Sequence, residues 1–229
     1  IRTAFLELFA KDRANIEAGL YPAPDDLKVQ RALSALRNSA RFFADLPNVD
    51  ARRLERAGTQ VREEAKDARY PTYYLQNFHY QSGGWLTEQS AKLYDTQVEI
   101  LFGGAADAMR RIALGSFARA LKGRDQRRVR MLDIGCGTGR FLRQVLAAFP
   151  RIPATGLDLS PAYCTEARAR LGSWPQVEIA NGAVEQAPFE DASFDAATCV
   201  YLFHELPPRV RREAAREIAR LLKPGGVLV

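Results

Sequence analysis

Cysteine, histidine and long apolar runs are what this chain has least of. Its 229 residues include three cysteines and two histidines. Cys136, Cys164 and Cys199 are too few and too scattered for a disulfide framework or a zinc site. That excludes a small disulfide-stapled secreted fold and leaves reduced, mostly buried thiols in a cytoplasmic protein as the expectation. No metal is expected. No uninterrupted apolar stretch approaches the roughly 20 residues that span a bilayer as a helix. The opening Ile1-Arg2-Thr3 lacks an initiator methionine and a charged-then-apolar leader. The closing Gly225-Gly226-Val227-Leu228-Val229 reads as a strand just beginning, so a chain cut at both ends is expected.

Also lacking is any block of one charge. The formal net charge is +6, which by itself suggests an anionic partner. Yet the arginines alternate with acids, as in Arg209-Val210-Arg211-Arg212-Glu213. The densest run, Arg124 to Arg130, carries none of the interleaved aromatics of a base-stacking surface. A solvated face is the reading, and no nucleic-acid partner is expected. The oligomeric state is not legible.

Two textures divide the chain. Residues 1–120 lack strand signals and read as a helical N-terminal region. Asp25 to Ala44 is amphipathic, with Leu27, Val29, Leu33, Leu36 and Phe42-Phe43 as its apolar face. Arg52 to Arg69 is charged and helix-prone. Residues 70–86 change character, packing Tyr70, Tyr73, Tyr74, Phe78, Tyr80 and Trp85 around His79. From Thr87 helical spacing returns through Ala91, Leu93, Val98, Leu101 and Phe102. Gly103-Gly104 ends it, and another helix runs from Ala105 to about Leu121.

Residues 121–229 alternate strand and helix. Apolar runs predict strands at Val129–Ile134, Ala154–Asp158, Val177–Ala180 and Phe194–Val200, with a fifth from Val227. Helices are predicted over Gly139–Phe149, from a Ser160 cap and Pro161 to Leu171, and through Val210, Ala214, Ile218 and Leu222. Pro224-Gly225-Gly226 stops the last of these. Such an order predicts an α/β fold: a doubly wound, Rossmann-like, mostly parallel sheet with helices on both faces.

The sharpest motif is Asp133-Ile134-Gly135-Cys136-Gly137-Thr138-Gly139, between the first of these strands and the helix after it. Glycines at alternate positions let the backbone turn tightly and approach a ligand with no β-carbon between. Arg140 stands where a dinucleotide fingerprint needs its third glycine, which disfavours a nicotinamide-dependent oxidoreductase. About twenty residues on, Asp158 ends the second strand, where a carboxylate can accept both hydroxyls of a ribose.

At these residues the chain resembles the class I S-adenosylmethionine-dependent methyltransferases, in particular the small-molecule branch that includes quinone-biosynthesis enzymes. The resemblance covers about Arg128 to Val229. It extends to Pro188-Phe189, to Ser193-Phe194-Asp195, and to Leu221-Leu222-Lys223-Pro224-Gly225-Gly226. It implies S-adenosylmethionine as methyl donor, and S-adenosylhomocysteine as product. It places the methionine end near Asp133 and the loop of Gly135, Cys136, Gly137 and Gly139, and the ribose on Asp158. The adenine lies between Leu159 and Ala183-Val184, and Tyr201 joins this set from beyond the fourth strand. Gly182-Ala183-Val184 departs from the family's frequent Gly-Asp, so one contact to the adenine amino group is missing. The family sheet has two further strands that this sequence lacks.

A sulfonium methyl is already electrophilic, so orientation does most of the work and a base is needed only if the acceptor loses a proton. His204, with Glu205 as orienter, and His79 are the candidate bases. By resemblance, the segment before the glycine loop covers the acceptor, which makes Tyr74, Phe78, Tyr80 and Trp85 candidate acceptor contacts. No Asn-Pro-Pro-Tyr or Asp-Pro-Pro-Tyr follows the fourth strand, so the signature for methylating exocyclic amino groups is missing. A small organic acceptor is expected; a donor-binding protein without catalysis, regulatory or structural, is the competing expectation.

Overall fold

The computed structural model describes residues 2–24, 70–75 and 84–229, with single positions between 44 and 62. The segments Asp25–Ala44 and Arg52–Arg69 fall almost wholly outside these residues. Two units divide the chain: residues 1–24 with 102–229, and residues 25–101. This division differs from the boundary expected near residue 120.

In the larger unit, α1 (Arg2–Glu17) lies against α3 (Ala106–Ala120). A buried ion pair fixes that contact: Arg111 donates through Nε to Asp12 Oδ1 (2.9 Å) and through a terminal nitrogen to Oδ2 (2.6 Å). Tyr21 also donates to Asp12 Oδ1, at 2.8 Å. The other face of α3 explains why it sits with the sheet: Leu114, Phe117 and the following Leu121 enter one core with Met131, Leu142, Val145 and Leu146. Each such aliphatic side chain contributes about 1.5–3 kcal/mol by leaving water.

The sheet has five parallel strands: β1 (Met131–Ile134), β2 (Ala154–Asp158), β3 (Val177–Asn181), β4 (Phe194–Thr198) and β5 (Leu222–Leu228), in the order β3-β2-β1-β4-β5. Its crossovers are α4 (Arg140–Ala148), α5 (Pro161–Leu171) and α6 (Pro208–Leu221). The α/β doubly wound fold read from the alternation is therefore the fold found. All four residues of β1 are buried, and since alternate side chains point to opposite faces, the strand is covered on both. In α4 the buried residues Phe141, Leu142, Val145 and Leu146 form one stripe, the spacing an amphipathic helix requires. Ser160 Oγ accepts the Tyr163 N–H at the start of α5, where Pro161 occupies the first turn.

The Pro224-Gly225-Gly226 turn is present within β5. Leu222 pairs with Phe194 and Val227 with Ala196, so the residues between bulge out of the ladder, with Gly225 at φ +77°. The strand order reverses at β1, which has β2 on one side and β4 on the other. At such a switch point the loops beyond the carboxyl ends diverge and leave a crevice.

The second unit contains α2 (Glu88–Leu101). Thr87 Oγ1 accepts the Ser90 N–H at 3.1 Å, and Ser90 Oγ donates to the Gly84 carbonyl at 2.6 Å. Gly84 thus sits at the entry to this helix.

Candidate functional site

The glycine loop lies at the reversal point, between β1 and α4. All three of its glycines have positive φ: Gly135 +68°, Gly137 +55° and Gly139 +74°. Their surroundings differ. A β-carbon on Gly139 would stand 2.9 Å from Leu171 Cδ1 and 3.3 Å from Ala167 Cβ, so this glycine lets the loop pack on α5. A β-carbon on Gly135 would meet the Leu202 side chain at 3.1 Å. At Gly137 the nearest neighbour would be Tyr163 Cδ1 at 4.0 Å. Of the three, Gly137 alone presents bare, open peptide.

Asp158 ties the loop to β2. Its Oδ2 accepts the Gly137 N–H at 2.8 Å and its Oδ1 accepts the Ser160 N–H at 2.9 Å. Burial raises its pKa, opposed by these two N–H donors. The carboxylate is thus at the loop, as the spacing predicts, and each oxygen keeps capacity for a further donor.

Asp133 lies in register with Gly156 of β2 and Thr198 of β4. It is 2% exposed. Thr198 Oγ1 donates to its Oδ1 at 2.7 Å, while its Oδ2 is buried and has no hydrogen-bond partner among the described residues. Burial pushes its pKa up to about 7; the Thr198 hydroxyl lowers it and the Asp158 charge raises it. Thr198 is a site residue that sequence reasoning missed. Its signal was a hydroxyl near the end of the fourth strand, at the same sheet edge as Asp133.

Cys136 turns inward from the loop, toward Gly156, where an added β-carbon would stand 2.9 Å from its sulfur. Burial pushes its thiol well above the ordinary range. Leu159 and Ala183 are partly buried and Val184 is buried, on the segments that follow β2 and β3. Asn181 joins these two segments: its side-chain amide donates to the carbonyls of Asp158 and Leu159, both at 2.9 Å.

Tyr201, beyond β4, has φ +64°, rare for a residue with a bulky side chain and a strain that recurs at functional sites. Its ring stacks on Phe102 (centroids 6.2 Å apart, planes 9° apart), and the Arg110 guanidinium lies 5.8 Å from its centroid. Arg110 donates to Asp107 Oδ1 at 2.8 Å, and Arg140 Nε donates to the same oxygen at 2.8 Å. Burial would raise the pKa of Asp107, but Arg140 and Arg110 together hold it below the ordinary value. So Arg140, the residue that breaks the dinucleotide fingerprint, binds the first turn of α4 to α3.

His204 follows β4 with a side chain 61% exposed, its Nε2 against Glu205 Oε1. Burial raises the pKa of Glu205 and the neighbouring His204 lowers it. Tyr74 and Trp85 belong to the second unit. There Tyr74 is buried, stacks on Tyr70 (5.4 Å) and lies with its hydroxyl 3.5 Å from the Trp85 carbonyl, while Trp85 packs on Tyr94 (5.6 Å). Phe78, His79 and Tyr80 lie outside the described residues.

Residues 131–226 match the family described as a methyltransferase domain. A demethylmenaquinone methyltransferase of Chlorobaculum tepidum is 32% identical over 142 residues, covering 61% of this chain and 54% of that protein. A demethylmenaquinone methyltransferase of Deinococcus radiodurans is 34% identical over 101 residues, 44% of this chain and 41% of that protein. The chain thus spans about half the length of the curated relatives it matches. A solved structure of the YcgJ protein from Bacillus subtilis shares 31% identity over 48% of this chain and 47% of that one, with a TM-score of 0.42.

Proposed function

We propose that this chain, whose residues 131–226 match a methyltransferase domain family, transfers the methyl group of S-adenosylmethionine, as donor, to a small organic acceptor. The donor supplies an electrophilic methyl on a sulfonium, open to in-line displacement. The residues present fit it. One observation carries the reading: the Asp158 carboxylate accepts the N–H of Gly137, the glycine whose peptide lies open. A ribose on Asp158 then brings the rest of the nucleoside along bare backbone.

In this proposal Asp133, Gly135, Cys136, Gly137 and Gly139 surround the methionine end. Leu159, Ala183 and Val184 flank the adenine, and Tyr201 borders the reacting sulfur. The chain's task is positioning, which is worth on the order of 7–11 kcal/mol of barrier for well-aligned reactants. Where the acceptor must lose a proton, His204 is the proposed base and Glu205 its orienter, with His79 as the alternative. Tyr74, Phe78, Tyr80 and Trp85 are proposed acceptor contacts. The relatives' names direct the choice of acceptor to a reduced quinone ring. Three cysteines without a disulfide favour a cytoplasmic setting, and the interspersed charges speak against nucleic acid.

Titration calorimetry with S-adenosylhomocysteine and with NAD tests the donor, and labelled donor with demethylated quinols tests transfer. S-adenosylhomocysteine should bind and NAD should not. Asp158→Ala should weaken binding about tenfold or more, the value of hydrogen bonds to a charged group. NAD binding in preference would overturn the donor assignment. Binding without turnover on quinols, catechols or amines would leave a donor-binding protein that does not catalyse. His204→Ala at saturating donor separates a base from a bystander.

A further inference from the structure

We propose that Phe102 is a positioning residue: its ring holds Tyr201 in a strained conformation at the crevice, so that alignment for methyl transfer depends on it while donor affinity does not. The inference rests on reading the crevice as the donor site.

Strand β4 ends at Thr198, and three residues on Tyr201 takes φ +64°. The next side chain, Leu202, lies over the glycine loop, 3.1 Å from where a β-carbon on Gly135 would stand. Tyr201 therefore sits where the chain leaving β4 crosses the donor loop. Glycine or asparagine takes the left-handed region readily, a tyrosine does not. Such a conformation persists only where the surroundings impose it. Two groups touch the ring. Phe102 lies parallel to it, planes 9° apart and centroids 6.2 Å apart, and the Arg110 guanidinium is 5.8 Å from its centroid. Arg110 is itself fixed by Asp107, which also receives Arg140 at the start of α4.

Phe102 is delivered to that place by a turn. Its carbonyl accepts the Ala105 N–H at 3.0 Å, and the two residues between, Gly103 and Gly104, have φ +57° and +81°. Two left-handed central residues are the type I′ pattern, which glycine fills without strain. Phe5 of α1 backs the turn, its Cζ 3.5 Å from where a β-carbon on Gly103 would stand. Offset parallel rings attract one another, and that attraction offsets the backbone cost at Tyr201. Without the Phe102 ring the backbone at 201 relaxes and the tyrosine leaves its place beside the reacting sulfur. The glycine loop and Asp158 are built from other elements and keep their geometry. A displacement of about 1 Å at a positioning contact can cost about a hundredfold in rate.

The test uses the whole chain, with three measurements on each variant: turnover of labelled S-adenosylmethionine with a demethylated quinol, the Kd of S-adenosylhomocysteine by calorimetry, and urea unfolding. Phe102→Leu keeps the apolar bulk and removes the flat ring. Its kcat should fall about tenfold or more, with Kd within about twofold of the wild type. Phe102→Tyr, which restores a flat ring, should restore kcat. If Phe102 acts through Tyr201, then Phe102→Leu should lower kcat no further in a Tyr201→Leu background. In unfolding, the second substitution should likewise cost less than the first. Should Phe102→Leu not fold, Phe102→Met fills the space with a flexible chain and carries the same expectations. Unchanged kcat, losses that multiply in the double variant, or a Kd that weakens as much as kcat falls would overturn the inference and leave the functional reading standing. A wild type that fails to bind S-adenosylhomocysteine, or binds it and methylates no quinol, catechol or amine, would overturn that reading and this inference with it.

Discussion

At the scale of single residues, alternate glycines in one loop serve three separate ends. Gly139 makes room for Leu171, Gly135 for Leu202, and Gly137 for nothing in the protein. That difference separates a folding defect from a binding defect. Gly137→Val places a β-branched side chain at φ +55°, a strain on the order of 1–3 kcal/mol, but meets no close neighbour. The variant should fold with reduced stability by circular dichroism, and should show no S-adenosylhomocysteine binding by calorimetry. Normal binding would refute the role given to this loop. The loop and Asp158 were legible in the sequence because both are matters of short spacing along the chain. Thr198 was not, since only strand order puts it beside Asp133. That Leu202 covers Gly135 is likewise a matter of tertiary packing.

At the scale of elements, the start of α4 is an electrostatic problem with a local answer. Arg140, its first residue, sets a positive charge at the positive end of the helix dipole. Asp107 of α3 offsets this and also receives Arg110, which is 5% exposed in its side chain. Asp107→Ala removes the carboxylate that both guanidinium groups share. The expected loss is about 3 kcal/mol in a urea unfolding series, the range for breaking a buried ion pair. A loss below about 0.5 kcal/mol, the ordinary effect of a surface change, would show that the tie contributes little. The elements themselves were mostly legible: α5 begins and ends as the Ser160 cap, Pro161 and Leu171 predict, and β2 spans the predicted residues. The ladder reached further than periodicity predicted at β5, because Leu222 pairs with Phe194 before the Pro-Gly-Gly bulge.

At the scale of the whole molecule, Asp133 imposes a pH dependence on folding. Its pKa rises from 3.8 to about 7 in the folded chain, so between those values the native state holds a proton that the unfolded chain has lost. Stability from this group is therefore fully present below about pH 4 and is lost as pH rises through about 7. Asp107, whose pKa is lowered in the fold, acts in the opposite sense and loses its contribution as acid is added. Urea midpoints measured from about pH 4.5 to pH 7.5 should fall with pH in the wild type. In Asp133→Asn that fall should shrink or vanish. An unchanged slope would show that another group sets it.

The sequence by itself determined the alternation of strands and helices, the bend at Gly135–Gly139 and the acid one strand over. Each depends on neighbours within about a turn or a strand, where periodicity and backbone freedom act directly. Only the tertiary structure decided that β4 lies beside β1, which sets Thr198 against Asp133. It likewise decided that α1 and α3 join the sheet's core and that Asp107 meets Arg140 across 33 positions. Those outcomes follow from burial summed over the whole core and from strand register, and no local pattern along the chain encodes either one.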